Sequence, residues 1–81
     1  MAVDAKLHVV ITGAERVLFD GTAVSVRFPG ERGTFEVLGL HRPLISRLRA
    51  GTVLVDERPI PIRRGIVRVA DDVVTAVVEA G

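Results

Sequence analysis

The side chains able to do covalent or metal chemistry are few and scattered. His8 and His41 are the only histidines, and cysteine is absent. Neither histidine has a closely spaced His or Cys partner, so the sequence offers no zinc-type ligand set. His8 alternates with Leu7 and Val9, which places it on the outward side of a strand. His41 lies in a turn-rich stretch, where a partner contact and a loop-capping hydrogen bond are both open to it. Ser25 and Ser46 are the only serines, and neither sits in a Gly-x-Ser-x-Gly elbow. Asp71-Asp72 lies between β-branched runs and reads as a solvated hairpin tip rather than a working carboxylate pair. Gly30 and Gly33 precede no helix, so they make no phosphate cradle. No catalytic group, bound metal or cofactor is expected.

Arginine carries the remaining chemistry. Ten of the 11 basic residues are arginine, six of them in the groups Arg42, Arg47, Arg49 and Arg63, Arg64, Arg68. Such groups suit a solvated face, or a surface for an acidic or polar protein, because the guanidinium pairs carboxylates bidentately. Nucleic acid is disfavoured: net charge is only +1, and no aromatic platform accompanies the arginines.

The elements that must position these groups are strands. Valine occurs 15 times and isoleucine five, residues that fit pleated, half-buried surfaces. Leu7–Ile11 is a short apolar run ended by Thr12-Gly13. Arg16–Phe19 stops at Asp20-Gly21, a corner signal. Val24, Val26 and Phe28 alternate with Ser25 and Arg27, the period-2 mark of a strand with one side in the core. Pro29-Gly30 sets a tight turn, Gly33 supplies a second, and Thr34–Leu38 follows with Phe35 and Val37 inward. His41-Arg42-Pro43 turns the chain into Leu44–Leu48, which fits a helical stripe or a strand face. Later strands run over Thr52–Val55, Ile60–Ile62, Ile66–Val69 and Val73–Val78. Pro59 and Pro61 make the second of these short or place it at an edge, and Gly65 separates it from the third.

This spacing predicts an all-β fold, a small two-sheet antiparallel β-sandwich of about eight to ten short strands, as a single domain over residues 1–81. The core should hold Val24, Val26, Phe28, Phe35, Val37, Val53, Val67 and Val69. The opening Met-Ala-Val-Asp-Ala-Lys has no leader-like apolar run. No apolar stretch approaches the ~20 residues that span a bilayer, so the chain reads as soluble. The turn-rich segment from Phe28 to Leu44 has the character of a shaped surface for docking.

The order of these features resembles the epsilon subunit of F-type ATP synthases, in its N-terminal β-sandwich domain. The similarity runs through Leu7–Ile11, Glu15–Gly21, the central Val24–Leu38, the corner His41-Arg42-Pro43-Leu44-Ile45, then Leu48–Gly51, Gly65–Val69 and Val73–Thr75. This chain has Gly39-Leu40 where the family usually has Pro-Gly before the histidine, and Arg64-Gly65 for the usual Gly-Gly. The resemblance implies a non-catalytic subunit of the central stalk of a proton- or sodium-translocating enzyme. It implies docking to the gamma subunit and the c-ring, on the cytoplasmic side of the inner membrane, with no direct insertion in the bilayer. It maps the ring-facing surface onto Glu31, Arg32, Gly33 and Thr34 together with His41 and Arg42, as one rim. The family's helical hairpin has no counterpart in these 81 residues, so this stretch should support coupling without acting as a helical brake. The competing reading is a free-standing β-sandwich interaction module.

The first expected outcome is spectroscopic. Far-ultraviolet circular dichroism should show a single β-type minimum, and a helix-dominated spectrum would overturn the fold class.

Overall fold

The computed structural model describes residues 6–81; the opening Met1–Ala5, read above as lacking a leader-like run, lies outside them. Eight strands are formed: β1 (Leu7–Thr12), β2 (Val17–Ala23), β3 (Ser25–Gly30), β4 (Gly33–Leu38), β5 (Leu44–Leu48), β6 (Gly51–Val55), β7 (Arg58–Ala70) and β8 (Val73–Ala80). They are hydrogen-bonded in the order β2-β1-β8-β7-β5-β3-β4, with β6 between β7 and β3. The pairs are antiparallel except β1 with β8, which is parallel. The expected sandwich is present, and its two layers are joined by an unbroken ladder. The smallest extent is 20 Å, which suits two sheets about 10 Å apart with their outer side chains.

Strand β7 makes that junction. Its residues 58–62 pair with β6, and its residues 65–69 pair with β5. Its other edge carries β8, with a bulge between Ile62 and Arg64. Two strands expected on either side of Gly65 are therefore one strand of 13 residues. Gly65 does not break it, because its lack of a side chain is what the pairing needs. A Cβ there would sit 2.7 Å from the Val77 carbonyl oxygen and 2.7 Å from a methyl of Val78. Pro59 and Pro61 are tolerated in so long a strand for a local reason. They oppose Leu54 and Thr52, while Val55↔Arg58, Val53↔Ile60 and Gly51↔Ile62 alternate with them. Their missing N–H groups face the other edge, where β8 runs out and Gly81 N–H reaches only the Pro61 carbonyl at 3.0 Å.

The alternation expected from the sequence places the core. Leu7, Val9, Ile11, Val26, Phe28, Val37, Val53, Val67, Val69, Val74 and Ala76 are all buried in one cluster, and no polar or charged side chain among the described residues is buried. Phe35 lies across from Phe28, ring centroids 5.6 Å apart, and is only partly buried. Leu44–Leu48 resolves as a strand, with Leu44 and Ser46 half-buried and Leu48 buried. Arg58 stacks over Phe19 at 5.8 Å, tying β2 across to the start of β7.

Three local expectations are corrected. Asp20-Gly21 is no corner: β2 runs through it, paired with Val10 and Val9, and the turn lies earlier, closed by Gly13 N–H to Arg16 O at 2.8 Å. Val24 is exposed, because the chain bends between β2 and β3. That bend is fixed from outside: the Asp56 carboxylate accepts from the N–H groups of Val24 (3.0 Å) and Ser25 (3.0 Å). The four residues Asp56-Glu57-Arg58-Pro59, which read in the sequence as the turn between the strands Thr52–Val55 and Ile60–Ile62, turn only at Asp56-Glu57, both at positive φ (46° and 71°), the mirror-image turn that matches strand twist; Arg58 and Pro59 already belong to β7.

Phe28 is fully buried and is the largest of the fully buried side chains. Phe28→Ala should cost about 3–5 kcal/mol, and Phe35→Ala less because part of its ring is already in water. Urea unfolding of both variants checks this; equal losses would contradict the burial order.

Candidate docking surface

The surface singled out in the sequence begins at the β3–β4 hairpin. Gly30 pairs with Gly33, leaving Glu31-Arg32 as the exposed tip. The turn thus falls two residues later than Pro29-Gly30, which end β3 and are buried. Gly33 has φ of 135°, a conformation that side chains resist, so glycine is needed where the chain re-enters the sheet. Thr34 follows, exposed on the edge strand β4.

The end of β5 holds the tip in place. Glu31 N–H donates to Arg47 O at 3.0 Å, and Arg49 N–H donates to Pro29 O at 2.9 Å. This brings Arg47 and Arg49 beside Glu31, with Arg64 on the neighbouring β7, around an open recess floored by Leu48, Gly65 and Ile66. Arg64 is paired with Glu79 at 2.8 Å, and Arg63 reaches the same carboxylate at 3.9 Å. Arg47 and Arg49 have no carboxylate within 4.0 Å among the described residues. The tip end is therefore rich in cationic groups, drawn from two arginine clusters that are separate in the sequence.

His41 and Arg42 are elsewhere. The β3–β4 register runs from Gly30↔Gly33 at the tip to Ser25↔Leu38 at the base, and His41 N–H donates to Leu38 O at 3.2 Å. The six residues of β4 span about 17 Å at ~3.3 Å per residue. β5 repeats the separation, with Leu44 level with Val69 and Leu48 level with Gly65. The single rim expected for Glu31, Arg32, His41 and Arg42 does not form: the two pairs occupy opposite ends of β4. Gly39 lets the chain turn, but it turns toward the β7–β8 hairpin and not back toward the tip. The His41 ring closes its own corner, with Nδ1 2.7 Å from the Arg42 carbonyl oxygen, so Nδ1 carries the proton there.

The group that fixes this second corner was read in the sequence only as a solvated hairpin tip. Asp71 and Asp72 do form the β7–β8 turn, at φ of 52° and 61°. Asp72 is also a fastener: its Oδ1 accepts from Leu40 N–H at 2.6 Å, and its carbonyl accepts from His8 N–H at 2.9 Å. Leu40 is held at φ of 65°, in the left-handed region that costs a non-glycine residue roughly 1 kcal/mol. Asp56 and Asp72 each bond a backbone 32 residues away, a separation with no local sequence signal. His8 and Asp20 approach to 3.5 Å on the outer face of β1 and β2, and among the described residues no group of three or more metal-binding side chains gathers.

Comparison with known proteins gives this geometry a family. Residues 6–81 match the model of the ATP synthase delta/epsilon chain β-sandwich domain. The ATP synthase epsilon chain of Bordetella parapertussis is 40% identical over 80 residues, covering 93% of this chain and 57% of the relative. That of Bordetella avium is 49% identical over 51 residues, covering 63% of this chain and 36% of the relative. This chain thus spans about half the length of the curated relatives it matches. Among solved structures, a chain of the Euglena gracilis mitochondrial ATP synthase (OSCP/F1/c-ring) superposes with a TM-score of 0.82 at 18% identity, over 96% of this chain and 53% of that one. A chain of the Tetrahymena thermophila mitochondrial ATP synthase (central stalk/c-ring) gives 0.74 at 13% identity, over 90% and 63%. The two likenesses are of fold; the match across nearly the whole sandwich and the 40% identity are of family. The chain belongs to the ATP synthase delta/epsilon family, through that family's β-sandwich domain.

Proposed function

We propose that this chain is a rotor subunit of a proton- or sodium-translocating F-type ATP synthase. It works as a docking domain of the central stalk, binding the gamma subunit and the c-ring, and it catalyses nothing itself. It sits at the cytoplasmic side of the inner membrane through the complex, without entering the bilayer. The observation that carries this reading is the match of residues 6–81 to the family's sandwich domain. The names of the similar structures, central stalk and c-ring, support the same place.

Within that reading, the tip formed by Glu31, Arg32, Gly33 and Thr34 faces the c-ring. The cationic groups collected there by Arg47 and Arg49 suit loops that present carboxylates, because complementary charge steers encounter and fixes orientation. His41 and Arg42, at the other end of β4, face a different part of the assembly.

Co-purification with the gamma subunit is the first test, since a free-standing interaction module would not be recovered with it. The second uses charge reversal. Arg32→Glu should lower recovery of the c-ring, with gamma present, by roughly two- to fivefold and steepen its salt dependence. Arg42→Glu should leave that recovery unchanged. Both variants should melt like the wild type. Full c-ring recovery by Arg32→Glu at low and high salt would remove the tip from the ring interface.

A further inference from the structure

Strands β2, β1, β8, β7 and β5 form one layer in that order, with β8 in the middle. Its inner face is core, and its outer face stands in solvent. The pairing registers fix which side chains share the outer face. One row across it holds Arg47, Ile66, Val77, Thr12 and Val17; the next holds Ile45, Arg68, Thr75, Val10 and Asp20. Eight large hydrophobic side chains are exposed among the described residues, and five of them are here: Val17, Ile45, Ile66, Val77 and, one row beyond Thr75, Val73. Single exposed aliphatic residues are ordinary, whereas a set gathered on one sheet face marks a contact surface.

The charges of this face are divided between its two sides. Arg47 and Arg68 stand on the β5–β7 side, and neither has a carboxylate within 4.0 Å among the described residues. Asp20 stands on the β2 side, with His8 beside it at 3.5 Å. Arg64 and Glu79, in the row next to Ile66 and Val77, satisfy each other at 2.8 Å. Arg68 and Asp20 share a row but lie three strands apart, about 14 Å at ~4.8 Å per strand, too far to pair within one copy.

That division selects the occupant. An anionic lipid surface would attract the arginines and repel Asp20, and a basic partner would do the reverse. The face needs a partner that carries both signs in the opposite order, and its own two-fold image does so. An axis across the strands would set the arginines of one copy over those of the other. An axis along β8 instead sets the β5–β7 side of each copy over the β1–β2 side of the other. Val77 then meets its own counterpart, and Arg68 comes over the second copy's Val10, one strand from its Asp20. Five strands about 4.8 Å apart and about 20 Å long offer roughly 500 Å² per copy, so roughly 1,000 Å² in all, the lower bound for a specific interface.

We propose that two copies of this chain associate through that face, sheet on sheet, about a two-fold axis along β8. The pair is a state of the chain off the rotor, and it does not depend on the rotor reading.

Sedimentation velocity of the purified chain, from low micromolar to near-millimolar concentration, tests this beside the melting temperature of each variant. The wild type should pass from monomer to dimer in the micromolar range. Val77→Glu sets two carboxylates against each other on the axis and should abolish the dimer. Arg68→Glu and Asp20→Arg should each weaken it roughly five- to twentyfold, since the axis makes every contact twice, and the double variant should return to within about threefold of the wild type. Arg27→Glu, exposed on β3 in the other layer, should associate like the wild type. If Val77→Glu does not fold, the two charge reversals and their combination decide alone. A wild type that stays monomeric at near-millimolar concentration would overturn the proposal and leave the face to a different partner. A dimer unmoved by a folded Val77→Glu, or weakened as much by Arg27→Glu as by Arg68→Glu, would put the contact on another surface. A double variant no stronger than the single ones would exclude the axis along β8, and the pairing with it.

Discussion

Strand β7 is the constraint on which the rest of this structure depends. A single-layer sheet of eight strands would leave its apolar face in water; no helix forms among the described residues to cover it, and the sheet folds on itself instead. β7 does so by belonging to both layers, with residues 58–62 against β6 and residues 65–69 against β5. The bulge between Ile62 and Arg64 supplies the bend, and the bare backbone of Gly65 lets β8 stay close beside it. Once the layers face each other, valines from nearly every strand meet in one core. No disulfide or buried ion pair is needed, and with no polar or charged side chain buried among the described residues, none has to be desolvated.

The surface is organised by different bonds. Two aspartates fasten irregular segments that the core cannot reach. Asp56 closes the bend between β2 and β3, and Asp72 closes the corner after β4. Each is at the first or second place of a mirror-image hairpin turn, where aspartate tolerates positive φ and its carboxylate is free to receive neighbouring N–H groups. The turns thus do two things at once: they reverse the chain and they hold a distant segment. An acceptor that is ionised makes these bonds stronger than neutral ones.

The result is a body with two unlike ends. One end presents a charged hairpin tip beside arginines from β5 and β7; the other presents an apolar side chain beside aspartates. The docking role proposed above is served by distinct surfaces at separate places. The continuous ladder keeps the two ends apart, and the loops at each end supply the distinction.

Much of this was legible in the chain itself. The period-2 alternation of Val26 and Phe28, of Phe35 and Val37, and of Val67 and Val69 places those side chains toward the core, because side chains alternate faces along any strand whatever it pairs with. The glycines at 30 and 33 located the exposed tip to within two residues. Other features depended on residues far apart in sequence. Val24 continues the same alternation yet is exposed, because Asp56 bends the chain there. Ile60–Ile62 and Ile66–Val69 read as two strands, and only the partners on either edge make them one. Glu31 and His41 share a turn-rich segment, but the hairpin sends one to the tip and Asp72 draws the other toward the β7–β8 turn. Periodicity is a local property and is written in the chain; the direction of a corner is set by a bond to a residue 32 positions away, and only the folded arrangement brings that residue near.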